Sequence, residues 1–230
     1  MSISAFGCYT AEHAPYITTD AAGWEPVLSG VPSETVPKGT IICRHYGTDR
    51  RVILIHRGLV TMSFIQSNGL ERVHFLGSTG YVFGFRSCLS GHPYGGMLTA
   101  LTDTTFYKIP SETVMREMQR SRDFFQYAMY AEYTRGLMYS RKLELLALPT
   151  NMQKVAALLL SMAYKVGVDE EQGTLIPIRL THDLITRLMY TDRVSVSRVL
   201  SILEKERMIA RYRGLFRVLD FDSLIDIVEK

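Results

Sequence analysis

Thr191–Ile209 reads TDRVSVSRVLSILEKERMI. Val196, Val199, Leu200 and Leu203 fall at i, i+3, i+4 and i+7, the spacing of an amphipathic helix with one buried stripe. Asp192 stands where an N-cap belongs. At about 100° per residue, Val194 lies roughly 160° around from Val196. It shares that outer face with Arg198, Ser201 and Lys205. A valine there is either an incidental surface residue, which is common, or a side chain whose partner lies outside the fold.

The flanking residues supply the context. A first helix over 182–189 precedes the second, at about 193–207. Thr181 caps the first, and Ile185, Leu188 and Val196 form a small core between the two. A strand, IPIRL, comes before them. The segment MIARYRGLFRVLD follows as a β-hairpin with its turn near Arg213-Gly214. Helix, tight turn, helix and hairpin make a winged helix-turn-helix, which offers the first residues of its second helix to base edges in the major groove. Charge agrees. Arg179–Arg217 holds nine Lys/Arg and four Asp/Glu, a formal +5, whereas the whole chain carries +3 and the remainder therefore −2. A local basic excess suits a polyanion.

Further upstream, residues 36 to 110 read as short strands: TIICRHY, RVILIHRG, LVTMSFIQ, ERVHFLG, YVFGF and TTFYKI. Asn68-Gly69 reads as a two-residue I′ hairpin turn. Close turn spacing implies a small antiparallel sandwich or barrel. Past Pro110 the pattern becomes helical: a short helix over 111–119, then a long one from Ser121 to Leu148, near 40 Å at 1.5 Å per residue. The long helix has two apolar faces. Phe124, Tyr127, Ala131, Thr134, Met138 and Leu145 follow heptad spacing, interrupted by Arg141, and are expected to face a partner helix, the alternative being burial within one large monomer domain. Phe125, Met129, Gly136 and Leu143 form a second face, expected against the β domain. LPTN ends the helix at Pro149, and Thr150 or Asn151 caps MQKVAALLLSMAYKV. GVDEEQGT reads as a polar loop. Three units are expected: 1–120, 121–148 and 149–230.

The chain has 230 residues, 47% apolar and 21% charged, the composition of a globular protein. Cys8, Cys43 and Cys88 form neither a disulfide framework nor a CxxC motif. The N-terminus lacks the basic and apolar regions of a signal peptide, and no apolar run is long enough to span a bilayer. A reducing cytoplasm is the expected location.

Two segments carry a family resemblance. VPKGTIICRHYGTDRRVILIHRGLVTMSFIQSNGLERVHFLGSTGYVFG is similar to the β-roll, and LTHDLITRLMYTDRVSVSRVLSILEKERMI to the reading head, of the cyclic AMP receptor/fumarate-nitrate regulator family of bacterial transcription factors. The resemblance covers nearly the whole chain in the right order. It implies an α+β fold: an antiparallel β-roll, a dimerisation helix and a C-terminal winged helix-turn-helix. It also implies a homodimeric regulator, switched by a small effector, that binds palindromic promoter DNA and contacts RNA polymerase. On that footing Arg193, Val194, Ser197 and Arg198 are expected at base edges. Thr181, Ser195, Arg211 and Arg213 are expected at phosphates, and Phe85, Arg86, Tyr94, Tyr139 and Ser140 around the effector.

Departures from the family narrow the effector. Members that bind cyclic nucleotide carry a Gly-Glu pair for the ribose and an Arg-Ser pair for the phosphate. Here the matching positions are Gly84-Phe85 and Gly95-Gly96, which leave an anionic phosphate uncompensated; the nearest cationic candidates are Arg86 and His92. An aromatic or weakly anionic molecule is expected instead of cyclic AMP. Cys8 alone does not supply the thiolates of an iron–sulfur cluster. Haem ligation by an isolated Cys or His such as His74 stays open in principle, but no cofactor or metal is expected. Tyr190 replaces the glycine usual in the turn; if left-handed, it costs on the order of 1 kcal/mol. Two rival functions remain. A cupin-like β-roll enzyme would need clustered metal-binding histidines, whereas His45, His56, His74 and His92 are scattered. A sensor that has lost DNA binding would have no need to keep Arg193 and Arg198.

Overall fold

The computed structural model describes residues 10–44, 51–92 and 95–230. The chain divides into two compact units, Tyr16–Leu137 and Met138–Lys230, the latter joined by the N-terminal segment up to Pro15. The division falls inside the long helix, whereas the sequence suggested breaks at 120 and 148.

The first unit is a β-roll. Among the described residues, one sheet has the order β1 (Tyr16–Ile17), β6 (Glu71–Gly77), β5 (Val60–Ile65), β8 (Met97–Ala100), β3 (Ile41–Cys43). The other runs β2 (Ser33–Val36), β9 (Thr104–Ile109), β4 (Val52–Arg57), β7 (Val82–Phe83). Pairing is antiparallel except for β1 with β6. The connection from β5 to β6 corrects the turn expected at Asn68-Gly69. Gln66 and Leu70 close a three-residue loop, with the Gln66 amide donating to Leu70 O at 2.9 Å and Gly69 alone at positive φ (81°). A type I turn ending in a left-handed glycine needs no positive φ from asparagine. YVFGF is strand only at Val82–Phe83. Gly84, at φ 87°, then turns the chain into α1 (Phe85–Ser90). A Cβ on Gly84 would sit 2.6 Å from Arg51 O.

Trp24 organises the core. It packs edge-on against Phe85 and Phe124, with ring centroids 6.1 and 5.4 Å apart, among Val52, Leu54, Val82, Ile109 and Val114. α2 (Ser111–Arg120) and α3 (Arg122–Ala147) cover this cluster. Tyr127 lies on the backbone of Gly23 and donates its hydroxyl to Asp20 O.

These contacts overturn the expected dimer face. Phe124, at 3% exposure, and Tyr127 and Ala131 pack on the chain's own core, while Met138 and Leu145 are buried as well. Thr134 bonds back to Tyr130 O at 3.0 Å. The buried stripe of α3 runs Phe124, Ala128, Ala131, Arg135, Met138, Lys142, Leu145, an unbroken 4-3 spacing with cations at two positions. Arg135 and Lys142 hid that register from an apolar count. The expected second face is the open one. Phe125 and Leu143 are 46% and 69% exposed, and Met129, Tyr130, Tyr133 and Gly136 are exposed beside them.

The second unit gathers around α4 (Asn151–Val166), which is buried on nearly every side. A capping box starts it: the Gln153 amide donates to Thr150 Oγ1 at 3.2 Å, and the Thr150 amide to Gln153 Oε1 at 3.1 Å. α5 (His182–Met189), α6 (Arg193–Lys205) and α7 (Phe221–Glu229) pack on it. The sheet order is β10 (Val168–Glu170), β11 (Gly173–Ile176), β13 (Leu215–Val218), β12 (Ile209–Tyr212). The expected polar loop is therefore a hairpin. The expected strand IPIRL ends at Ile176, since Pro177 lacks the donor a ladder requires. α7 had no counterpart in the sequence reading. His13, from the N-terminal segment, meets Glu144 of α3 at 2.9 Å.

Candidate nucleic-acid interface

The cap expected for α5 is present: Thr181 Oγ1 accepts from the Leu184 amide at 3.1 Å. Asp192 caps α6, accepting from the Ser195 amide at 2.8 Å and the Ser195 hydroxyl at 2.7 Å. Those bonds hold the Asp192 carboxyl below its ordinary range. Ile185, Leu188 and Val196 are fully buried and form the inter-helix core. The connecting residue Tyr190 is left-handed, at φ 55° and ψ 37°. Its ring lies 5.5 Å from Nζ of Lys142, which is buried and donates to Leu188 O. The ammonium thus satisfies a carbonyl of the last turn of α5, at the negative end of the helix dipole. The cation–ring contact offsets the backbone strain that glycine would avoid. Burial pushes the Lys142 pKa down to about 7.

α6 exposes the residues expected of it. Val194 is 79% exposed, with Arg193 and Arg198 also at the surface. The wing turn is as expected: Arg213 and Gly214 take φ 50° and 82° in the two-residue link between β12 and β13. Arg213 is exposed, its guanidinium 5.1 Å from the Tyr212 ring centroid.

Three of the expected contacts are committed inside the protein. Ser195 gives its hydroxyl proton to Asp192. Ser197 Oγ sits 2.9 Å from His182 Nδ1. Arg211 donates Nε to Glu204 at 2.6 Å and stands with Nη2 2.6 Å from His182 Nε2. His182 was missed by sequence reasoning, because its partners lie 15 and 29 residues away and no spacing rule connects them. Desolvation, then Arg211 and Arg193, lower its pKa.

Of the residues expected around the effector, Phe85 and Arg86 belong to the first unit and Tyr139 and Ser140 to the second. Phe85 is a fully buried core ring packed edge-on against Trp24, a correction to its expected place at the effector that follows from its position in the apolar cluster. Arg86 is exposed on α1, Tyr139 and Ser140 lie on α3, and Tyr94 lies outside the described residues, as do Cys8 and His45. A cavity in the β-roll unit is lined instead by Ile17, Thr19, Gly80, Tyr81, Val82, Ala131 and Arg135, with room for about one water molecule. Arg135 is buried there, paired with Glu132 at 3.0 Å, donating to Val82 O and lying 5.6 Å from the Tyr81 ring centroid. It too was missed, although its place in the α3 stripe was available from spacing. His74 stacks on Phe64 at 4.6 Å and His56 meets Tyr107 edge-on at 5.7 Å. No helix among the described residues is long and apolar enough to cross a membrane.

A β-roll followed by a long helix and a winged helix-turn-helix with a basic, exposed second helix is the build of a DNA-binding transcriptional regulator. Comparison with known proteins bears this out. Residues 33–121 match the cyclic nucleotide-binding domain, and residues 153–227 the Crp-like helix-turn-helix domain. The global nitrogen regulator of Synechococcus elongatus is 24% identical over 165 residues, 71% of this chain and 74% of that protein. Two solved structures share the fold: a mutant of CooA from Carboxydothermus hydrogenoformans (17% identity, 92% of this chain and 97% of that one, TM-score 0.76) and FixK2 from Bradyrhizobium japonicum (17%, 86% and 96%, TM-score 0.74). The chain belongs to the CRP/FNR family of DNA-binding transcriptional regulators. Its matched domains describe a regulator, not a metal enzyme.

Proposed function

We propose that the protein works in the cytoplasm as a homodimer that binds a palindromic promoter site, answers a small effector other than cyclic AMP, and contacts RNA polymerase. The observation that carries this reading is the exposed Val194, held between Arg193 and Arg198 at the start of a capped helix. A thymine methyl in the major groove is the natural partner of an apolar side chain, and guanine O6 and N7 suit arginine. Arg193, Val194 and Arg198 therefore read bases. Thr181 and Arg213 hold phosphates, which position the protein without specifying sequence. Ser195, Ser197 and Arg211 join them only by exchanging their present partners.

The dimer reading moves to the open face of α3. Phe125, Met129, Gly136 and Leu143 lie within a stripe about 40° wide, roughly 120° around from the buried one. Apolar residues there await cover, and Gly136 allows close approach of a second helix because a Cβ there would meet nothing within 4 Å. Against cyclic AMP, the residue matching the ribose-binding carboxylate is the buried ring of Phe85, and Gly95-Gly96 offer no cation. We propose instead an effector that is aromatic or carries one negative charge; the cavity beside the buried cation Arg135, with room for about one water molecule, would have to widen to take it. Arg86, Tyr94, Tyr139 and Ser140 stay in the proposal as outer contacts. Selection of binding sites from random duplexes by the wild-type protein tests the reading. The expected product is an inverted repeat with a guanine and an adjacent thymine in each half-site, the halves about one helical turn apart. Single half-sites without symmetry would contradict it.

A further inference from the structure

The His182 side chain touches both the second helix and the wing. Its ring lies between Ser197 of α6 (2.9 Å from Nδ1) and Arg211 of β12 (2.6 Å from Nε2). Arg211 is itself held by Glu204 of α6 at 2.6 Å, and its guanidinium lies 4.8 Å from the Phe216 ring centroid. The chemistry of the partners fixes the proton. A guanidinium has donors only, so Nε2 must accept; Nδ1 then carries the hydrogen and gives it to Ser197 Oγ. A second proton on the ring would remove the acceptor and set a cation against Arg211.

We infer that His182, neutral and protonated on Nδ1, is a positioning residue for DNA reading: it locks the recognition helix and the wing into one rigid surface, and its protonation unlocks them. This deepens the DNA-binding reading above and rests on it. The surroundings favour the neutral ring. Among the described residues, the charges acting on it are Arg211 from β12 and Arg193 and Glu204 from α6. On α5 itself, Asp183 is paired with Arg187 at 2.9 Å. Two cations outweigh one carboxylate, and partial burial acts in the same direction. The consequence is a dependence of specificity on pH. General attraction to phosphates gains from an added positive charge, whereas discrimination between sequences needs the rigid surface. The ratio of specific to non-specific affinity therefore falls as pH drops through the His182 pKa, by up to about tenfold per pH unit if one proton is linked.

Two measurements on the full-length protein test this. The first needs no DNA: long-range proton–nitrogen NMR of the imidazoles at pH 7.5. The expected result is the Nδ1–H form of His182, with a titration midpoint below 6.5, its ordinary value. The Nε2–H form, or a midpoint at or above the ordinary value, would overturn the proposal. The second compares affinity for a duplex bearing the selected repeat with affinity for a scrambled duplex, between pH 7.5 and 5.5. Wild type should lose discrimination on acidification. His182→Gln, whose amide both donates and accepts but does not titrate, should discriminate at pH 7.5 and keep a flat profile. His182→Ala should discriminate poorly throughout. Equal pH profiles for wild type and His182→Gln would sink the inference. If wild type fails to distinguish the duplexes at any pH, the DNA-reading assignment fails instead, and the NMR result alone decides the state of the ring.

Discussion

Replacing Lys142 with methionine should stabilise the C-terminal unit, and the gain should disappear in alkali. Lys142 is buried beneath the helix-turn-helix with the Leu188 carbonyl and the Tyr190 ring as its partners. Its pKa falls from 10.5 to about 7. At about 1.4 kcal/mol per pH unit, keeping that ammonium buried below pH 7 costs at most about 5 kcal/mol. Methionine has similar length, fills the same space and meets the Tyr190 ring through sulfur, for about 0.3–1.5 kcal/mol. It leaves Leu188 O without its donor, at about 1–3 kcal/mol. The net gain near pH 6.5 is therefore about 2–4 kcal/mol. The sign follows from proton counts. Below pH 7 both folded and unfolded chains carry the Lys142 proton. Between pH 7 and 10.5 the unfolded chain alone carries it, so wild-type stability rises with pH by up to about 1.4 kcal/mol per unit. The methionine protein lacks that slope, and the two curves converge towards pH 10. Urea unfolding followed by α5 amide signals at pH 6.5, 8 and 9.5 measures this. Fluorescence of Trp24, in the β-roll unit, serves as the internal control. No stabilisation at pH 6.5, or parallel pH curves for the two proteins, would refute the buried-charge argument.

Leu143→Glu places like charges at the proposed two-fold and should give monomers by sedimentation that fail on palindromic DNA; a dimer that persists would mean another face is used. Thr150→Ala removes the cap of α4 and should cost about 1 kcal/mol of stability in thermal or urea unfolding. Calorimetry with cyclic AMP should show no heat of binding, and micromolar affinity would overturn the reading of Gly84-Phe85 and Gly95-Gly96.

The reading head was legible because its signals are local. Thr181 and Asp192 each accept from an amide only three residues on, Arg213-Gly214 is a turn dipeptide, and Val194 is exposed by helical phase alone. The long helix was legible as a helix but not in its register. Arg135 and Lys142 occupy buried stripe positions, and a search for apolar spacing passed over both to the neighbouring Thr134 and Arg141. That error exchanged the inner and outer faces. β2, Ser33–Val36, was missed because a partly exposed edge strand, SETV, needs no apolar alternation. Phe85 looked like a pocket residue by family position, but its ring partner Trp24 comes from far along the chain. The His182 network is hidden for the same reason. Contacts between distant segments leave no periodicity in any one of them.

If Val194 reads DNA, binding-site selection with the Val194→Glu protein must return a different motif from the wild type. A carboxylate accepts from cytosine N4, whereas valine packs on a thymine methyl. The account predicts a selected motif altered at that thymine step by roughly 1–3 kcal/mol of preference, with the salt dependence of binding nearly unchanged. Arg213→Ala, run in parallel, should weaken all sites alike and flatten the salt slope by about one unit for each protomer of the dimer. Return of the wild-type motif by Val194→Glu would contradict the account and leave Val194 an ordinary surface valine.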